Sequence, residues 1–398
     1  MSASQGAMSA QRRWLSDFIV NAPDVERART TARRLLPEDG FREALDTISA
    51  WSGYAATPLV SLPGLAEHLG VGAISLKDES DRFGLGSFKA LGGAHAVYRL
   101  AQNHEVRELT VTCSTDGNHG RSVAWAAGKL GCRCVIYVHA GVSARRVAAI
   151  RELGAQVVQV GRTYDESVAL NARDARRMAW HVVADTDPDG RSSIVLEIMQ
   201  GYRVLAEEAL GQLAAEPTHL FLQVGCGGFA ASVVAHMLSR VKSPPRIVAV
   251  EPKAAACLAE SVSNGRSVRV DGDLETLMAG LSVGQVSLPA WDILRDAVDA
   301  VIVVADEAAT VAMRLLAAGT GGDITLISGE SGAAGVAGLL ATTGNSAVRG
   351  ALGLDRDSHV LVVSTEGATD PVLYEQIVGE LRHSPSIRTE GNDNDDDH

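Results

Sequence analysis

No apolar run in this sequence reaches the ~18 residues that would carry a helix across a bilayer, so a helical membrane span is not expected. Residues 1–14 are rich in Ser, Ala and Gln, carry Arg12-Arg13, and lack the apolar stretch of a secretory signal. A cytoplasmic location is expected. Excess positive charge is missing too. The formal net charge of -12 argues against nucleic acid and anionic membrane surfaces as partners. Cysteine is sparse. The five cysteines, Cys113, Cys132, Cys134, Cys226 and Cys257, are odd in number and scattered, which fits reduced thiols better than a disulfide framework. Cys132 and Cys134 share one face of an apolar strand pattern, and no second Cys/His pair completes a zinc set. No metal site is expected. There is no internal repeat and no P-loop G-K-[ST].

What is present is enough for a large core: 398 residues, 46% hydrophobic, with 40 glycines. That length suits two or three domains, or one large two-lobed α/β enzyme. Residues 1–50 are charged and helical in pattern and read as an N-terminal extension. A turn at Thr57-Pro58 leads to a short helix at 65–70, a strand at 73–77 and a helix from near Ser87 to Gln102. Three strand–helix units follow, with strands at 108–113, 134–138 and 156–160 and helices at 121–130, 144–153 and 164–180. Such alternation predicts a parallel sheet with helices on its faces. A long helix at 194–210 precedes a strand at 219–224, a helix at 229–240 and a strand at 247–250. Short strands are predicted at 301–304, 324–327 and 360–363, and the acidic run after Ser384 reads as disordered.

In open α/β sheets, ligands gather beyond the carboxyl ends of the strands. Four unusual loops fall at such ends: 77–89, 114–120, 225–228 and 364–367. The first carries Lys89 at a helix entry, where the helix dipole is unfavourable to a cation. Either that amine is solvated, or it is needed there; an amine shared with a pyridoxal aldehyde tolerates the position. Gly225-Cys226-Gly227-Gly228 fits a tight turn or a cradle for a single phosphate. Ala230 at the third glycine position disfavours a dinucleotide site. Asn118 fits a helix cap or a contact to a cofactor ring oxygen, Asp116 fits a carboxylate base, and His119 reads as a satisfied histidine. Ser364 and Thr365 fit turn hydroxyls or a partner for a pyridine nitrogen. Ser328 to Gly332 fits a helix cap, with Glu330 the residue that could border a pocket.

Taken in order, KDESDRFGLGSFKALGG (77–93), TDGNHGRSVAW (115–125), IMQGY (198–202), MAGLSVG (278–284), ISGESGAAG (327–335) and STEGATD (364–370) resemble the fold type II pyridoxal-phosphate enzymes, the tryptophan synthase β family. Within that family the likeness is to the diaminopropionate ammonia-lyases, and it spans about residues 50–380. The resemblance implies a two-lobed α/β fold, each lobe a largely parallel twisted sheet flanked by helices. Residues 51–93 and 200–383 would form the large cofactor-binding lobe, 94–199 the small lobe, and 384–398 a tail. It implies pyridoxal 5'-phosphate held by Lys89 as a Schiff base, with Phe88, Asn118, Gly225, Cys226, Gly227, Gly228, Phe229 and Ser364 or Thr365 around it. Lys89 and Asp116 would be bases for opposite enantiomers, and Ser114, Thr115, Asp116, Asp185 and Glu330 would meet an amino-acid substrate, with Asp185 near its distal amine. The implied activity is α,β-elimination of 2,3-diaminopropionate to pyruvate and ammonia by a homodimer. The alternatives are β-elimination or β-replacement on another β-substituted amino acid, as in serine/threonine dehydratases, and a catalytically silent binding homologue. Two places depart from the family pattern: Asp81, and the segment from Asp187 to Ser192, where aromatics are usual.

Overall fold

Short runs of Val, Ile and Leu, apolar on both faces, suit parallel strands covered by helices on each side. The computed structural model describes residues 14–115, 117–187, 189–190 and 192–379. Asp116, the first thirteen residues and the acidic tail lie outside the described residues. The strands run β1 (Leu15–Val20), β2 (Leu59–Ser61), β3 (Ala73–Asp78), β4 (Thr110–Ser114), β5 (Arg133–Val138), β6 (Gln156–Gln159), β7 (His181–Val182), β8 (His219–Gln223), β9 (Arg246–Pro252), β10 (Ala300–Val304) and β11 (His359–Ser364).

They form two sheets. One is seven-stranded, ordered β1-β10-β9-β8-β11-β3-β2; the other is four-stranded, ordered β6-β5-β4-β7. All pairings are parallel except β1 with β10 and β2 with β3, which close the two edges of the larger sheet. Strands β4, β8 and β10 are buried at every position, as predicted for helices packed on both faces.

Two elements differ from the sequence reading. The stretch read as purely helical extension contributes β1 before its helices Val25–Leu35 and Glu38–Ser49. Leu15, Phe18, Ile19 and Val20 are good strand formers, and they satisfy the otherwise open edge of β10. Residues 324–327 form no strand. Ile324 and Ile327 are 60% and 56% exposed, so this apolar segment has no sheet face to fill.

The topology creates the cleft. After β3 the chain leaves to build the smaller sheet, returns along helix Ser193–Gln212, and re-enters at β8 on the far side of β11. The carboxyl ends of β3, β11 and β8 therefore lie side by side, and the end of β4 comes from the other sheet. Helices Lys89–Gln102 and Ser193–Gln212 cross with their backbones in contact. A Cβ on Gly92 would stand 2.7 Å from the Ile198 carbonyl oxygen, and one on Gly201 would stand 2.6 Å from that of Leu91.

Candidate active site

Parallel register pairs Lys77 with Val363 and Asp78 with Ser364, so the loop leaving β3 runs along the segment leaving β11. The Glu79 N–H donates to Ser364 O at 2.9 Å, the Phe88 N–H to Thr365 O at 3.1 Å, and the Gly367 N–H to Gly86 O at 3.0 Å. Beneath this loop lies a charge network excluded from water. Arg82 donates to Glu79 Oε1 at 2.7 Å and to Glu208 Oε2 at 2.7 Å, and Lys77 Nζ lies 2.8 Å from Glu208 Oε2. Two cations thus face two carboxylates, the balance that buried charge requires.

The loop delivers Lys89 as the first residue of helix Lys89–Gln102. The amine there is paired with the Asp185 carboxylate. Burial by itself would lower the lysine's pKa, but Asp185 outweighs it and, with Tyr202 and Cys226, raises it well above the ordinary value. Asp185 is held below the usual carboxylate range: burial opposes the charge, and Lys89, then His119, overcome that opposition. The unfavourable helix-entry position of the lysine is answered by a carboxylate from the opposite wall.

The loop leaving β4 faces this pair. Thr115 Oγ1 accepts from the Gly117 N–H at 3.0 Å and the Gly120 N–H at 3.1 Å, which anchors the start of the following helix. Ser114 Oγ is buried, has no partner among the described residues, and its residue lines the cleft. Gly117 occupies the cap position, so Asn118 is not the helix cap; its amide donates to Glu366 Oε2 across the cleft. His119 Nε2 is 2.7 Å from Val183 O, and Nδ1 is 3.9 Å from Asp185 Oδ2.

Beyond β8, Gly225 to Gly228 open helix Gly228–Arg240. Gly227 has φ 85°, a conformation costly for any residue with a Cβ. Cys226 Sγ donates to Asp185 O at 3.4 Å, and burial pushes its thiol up to about 11. The rings of Phe88 and Phe229 stand 4.8 Å apart, and those of Phe88 and Tyr202 4.7 Å apart, walling the floor of the cleft. Thr365, Gly225, Cys226, Gly227, Phe229 and Lys89 line one continuous cavity.

Most of the expected residues thus converge. Two stand back. Ser364 Oγ turns away to donate to Ser328 Oγ at 2.8 Å, leaving Thr365 as the hydroxyl at the cavity. Glu330 is buried and accepts from Arg146 Nη2 at 2.9 Å, and Arg146 is the one that lines the cleft. Burial, then the neighbouring Glu366, push the Glu330 carboxyl up. At the departures, Asp81 borders an outer hollow with Arg121 and Arg145, and Asp187 folds back to accept from the Asp189 and Ser192 N–H groups. Glu366, Arg146 and Tyr202 were not singled out by sequence reasoning. Glu366 and Tyr202 sit inside the STEG and IMQGY segments, which was the available signal; Arg146 had none.

A family model described as pyridoxal-phosphate dependent enzyme matches residues 50–366. The chain belongs to that family. Diaminopropionate ammonia-lyase of Escherichia coli (strain K12) is 40% identical over 358 residues, covering 84% of this chain and 89% of that protein. The Salmonella typhimurium protein of the same name is 42% identical over 357 residues, covering 82% and 88%. A crystal structure of the Escherichia coli lyase, in complex with an aminoacrylate-PLP azomethine reaction intermediate, superposes with a TM-score of 0.84 at 37% identity, over 93% of this chain and 99% of that one.

The residues present fit the pyridoxal-phosphate cofactor of this family. Lys89 puts an amine in the cleft, and the glycine-lined N-terminus of helix Gly228–Arg240 has no side-chain cap, an arrangement able to receive a phosphate. A Cβ on Gly225 would stand 3.1 Å from Gly280 O and from Leu281 Cα, so a side chain there would press on the facing backbone. Thr365 supplies a hydroxyl, not a carboxylate, on the same wall.

Proposed function

We propose that the protein eliminates both nitrogens of 2,3-diaminopropionate, giving pyruvate and two molecules of ammonia. The observation that supports this reading is Asp185, an ionised carboxylate on the cleft wall, paired with Lys89 and able to give a second substrate ammonium a counter-charge. A hydroxy amino acid has no use for that charge.

Lys89 would hold the cofactor aldehyde, the Gly225 to Phe229 turn its phosphate, Thr365 its pyridine nitrogen and Asn118 its 3′-oxygen. When bound, pyridoxal phosphate supplies the electron sink that makes the substrate α-proton acidic. The Lys89 amine takes that proton from one enantiomer and Asp116 from the other. Asp185 holds the β-ammonium while the C–N bond breaks with its electron pair going to nitrogen. Phe88, Phe229 and Tyr202 keep water from the floor of the cleft. The enamine left after release takes up water and yields pyruvate and the second ammonia.

The test is to supply the loaded protein with D- and L-2,3-diaminopropionate and with D- and L-serine, and to count products. Two ammonia per pyruvate from diaminopropionate, at a higher kcat/KM than serine, is expected. Conversion of serine alone, or formation of a new amino acid, would replace this reading with a dehydratase or a β-replacement enzyme. Asp116→Asn should impair the D-isomer selectively, and equal loss on both enantiomers contradicts a separate base. A homodimer and a cytoplasmic location belong to the same reading by family likeness, and sedimentation of the loaded protein checks the first.

A further inference from the structure

The cleft holds a nitrogen lone pair that the mechanism above leaves unused. His119 is 5% exposed, and its Nε2 lies 2.7 Å from the Val183 carbonyl oxygen. A carbonyl only accepts, so Nε2 carries the ring proton. That carbonyl is itself fixed, because the Val183 N–H donates to Thr112 O at 2.8 Å, tying the strand end to β4. In the neutral ring Nδ1 is therefore a bare acceptor. It is buried and has no hydrogen-bond partner among the described residues. Burial, with Lys89 adding and Asp185 opposing, holds the imidazole below its ordinary pKa and keeps the ring neutral. A buried acceptor left unmet is destabilising, and this one opens on a cleft where an occupant can meet it.

Asp185 Oδ2 stands 3.9 Å from Nδ1 and helps to define that occupant. A carboxylate and an imidazole lone pair are both acceptors and cannot satisfy each other. A group with at least two N–H donors can bridge them. Lys89 meets Asp185 here, but an amine that is to take the α-proton must be neutral, so with substrate bound it does not supply that cation.

We propose that His119 Nδ1 and Asp185 together form the seat of the substrate's β-ammonium, and that this paired acceptor selects an ammonium over a hydroxyl at the β-carbon. An ammonium offers three donors and fills both acceptors. A hydroxyl offers one and leaves the other unmet. The seat also defines the protonation chemistry: the ammonium keeps its three protons, gains the C–N electron pair, and leaves as neutral ammonia, so neither side chain gives up a proton. This inference rests on the diaminopropionate reading.

His119→Gln is the decisive variant, because its amide N–H still reaches Val183 O while the Nδ1 lone pair is gone. His119→Asn does the reverse, keeping a polar atom near Nδ1 and losing the anchor. For His119→Gln, kcat/KM for diaminopropionate should fall about ten- to hundredfold, the range for a hydrogen bond to a charged group. The Ki of D-serine should move less than about threefold, and the affinity for pyridoxal phosphate, read by fluorescence, should not change. His119→Asn should recover part of the diaminopropionate preference. Independently, 15N spectra of the histidine-labelled holoenzyme should show His119 with Nδ1 unprotonated. Parallel loss for both ligands, loss of cofactor affinity, or a protonated Nδ1 would overturn the seat and leave His119 a structural residue. A wild type that consumes no diaminopropionate would overturn the proposed reaction instead. The seat is then judged by whether His119→Gln weakens diaminopropionate binding relative to D-serine, followed by cofactor absorbance.

Discussion

Gly201→Ala should loosen the crossing that aims Lys89. The added Cβ would sit 2.6 Å from Leu91 O, 3.0 Å from Leu91 C and 3.0 Å from Gly92 Cα, where ordinary contact begins near 3.4 Å. All three are backbone atoms, so no side chain can rotate away. Helices Lys89–Gln102 and Ser193–Gln212 must part by about 0.8 Å at their closest point. Overpacking of this kind costs about 1–3 kcal/mol. Alanine returns up to about 1 kcal/mol of helix propensity. A net loss of up to about 2 kcal/mol is expected once the full propensity gain is subtracted, read as a lower urea midpoint with unchanged slope. Tyr202 follows Gly201 directly, and its ring packs 4.7 Å from Phe88, the residue before Lys89. The absorbance band of the bound cofactor should therefore shift or weaken in the same variant. Stability at or above wild type, with an unchanged band, would refute the backbone contact.

Two further perturbations probe the frame around the site. Arg82→Met leaves Glu79 and Glu208 facing each other with only Lys77 between them. Breaking a buried pair on one side costs about 3–5 kcal/mol, so the melting temperature should drop sharply, and a loss under 1 kcal/mol contradicts the network's role. His95 is fully buried, and burial lowers its pKa from 6.5 to about 4. A lowered folded pKa gives stability that is complete above pH about 6.5 and is lost as pH falls toward 4, amounting to about 3 kcal/mol. His95→Gln should flatten that acid limb relative to wild type. Parallel acid curves for the two proteins would exclude it.

Much of this arrangement was legible in residues alone. The alternation of β-branched strands with helical spacing in 108–183 gives the smaller sheet, since parallel strands demand crossovers. The four loops at strand ends carry most of the cleft. Other parts depend on partners distant in sequence. Strand β1 exists because β10, nearly 300 residues later, has an edge to fill. Ser364 and Thr365 are adjacent, and successive residues of an extended chain face opposite ways, so only the neighbours decide which one meets the cavity. Arg146 is one of several arginines between 145 and 151, and nothing local distinguishes it from its neighbours. His119 looked like a satisfied histidine; one nitrogen is, and the other has no hydrogen-bond partner among the described residues.

The central claim is that a carboxylate beside Lys89 makes this cleft a site for a diamine. Asp185→Asn tests it most directly, measured as kcat/KM for diaminopropionate against the Ki of D-serine on protein loaded with pyridoxal phosphate. The variant keeps the size of the side chain and removes the charge proposed to hold the β-ammonium. A fall of about a hundredfold for diaminopropionate, with D-serine affinity within about threefold of wild type, is the expected result for loss of a buried charge-assisted contact. Equal losses for the two ligands would contradict it.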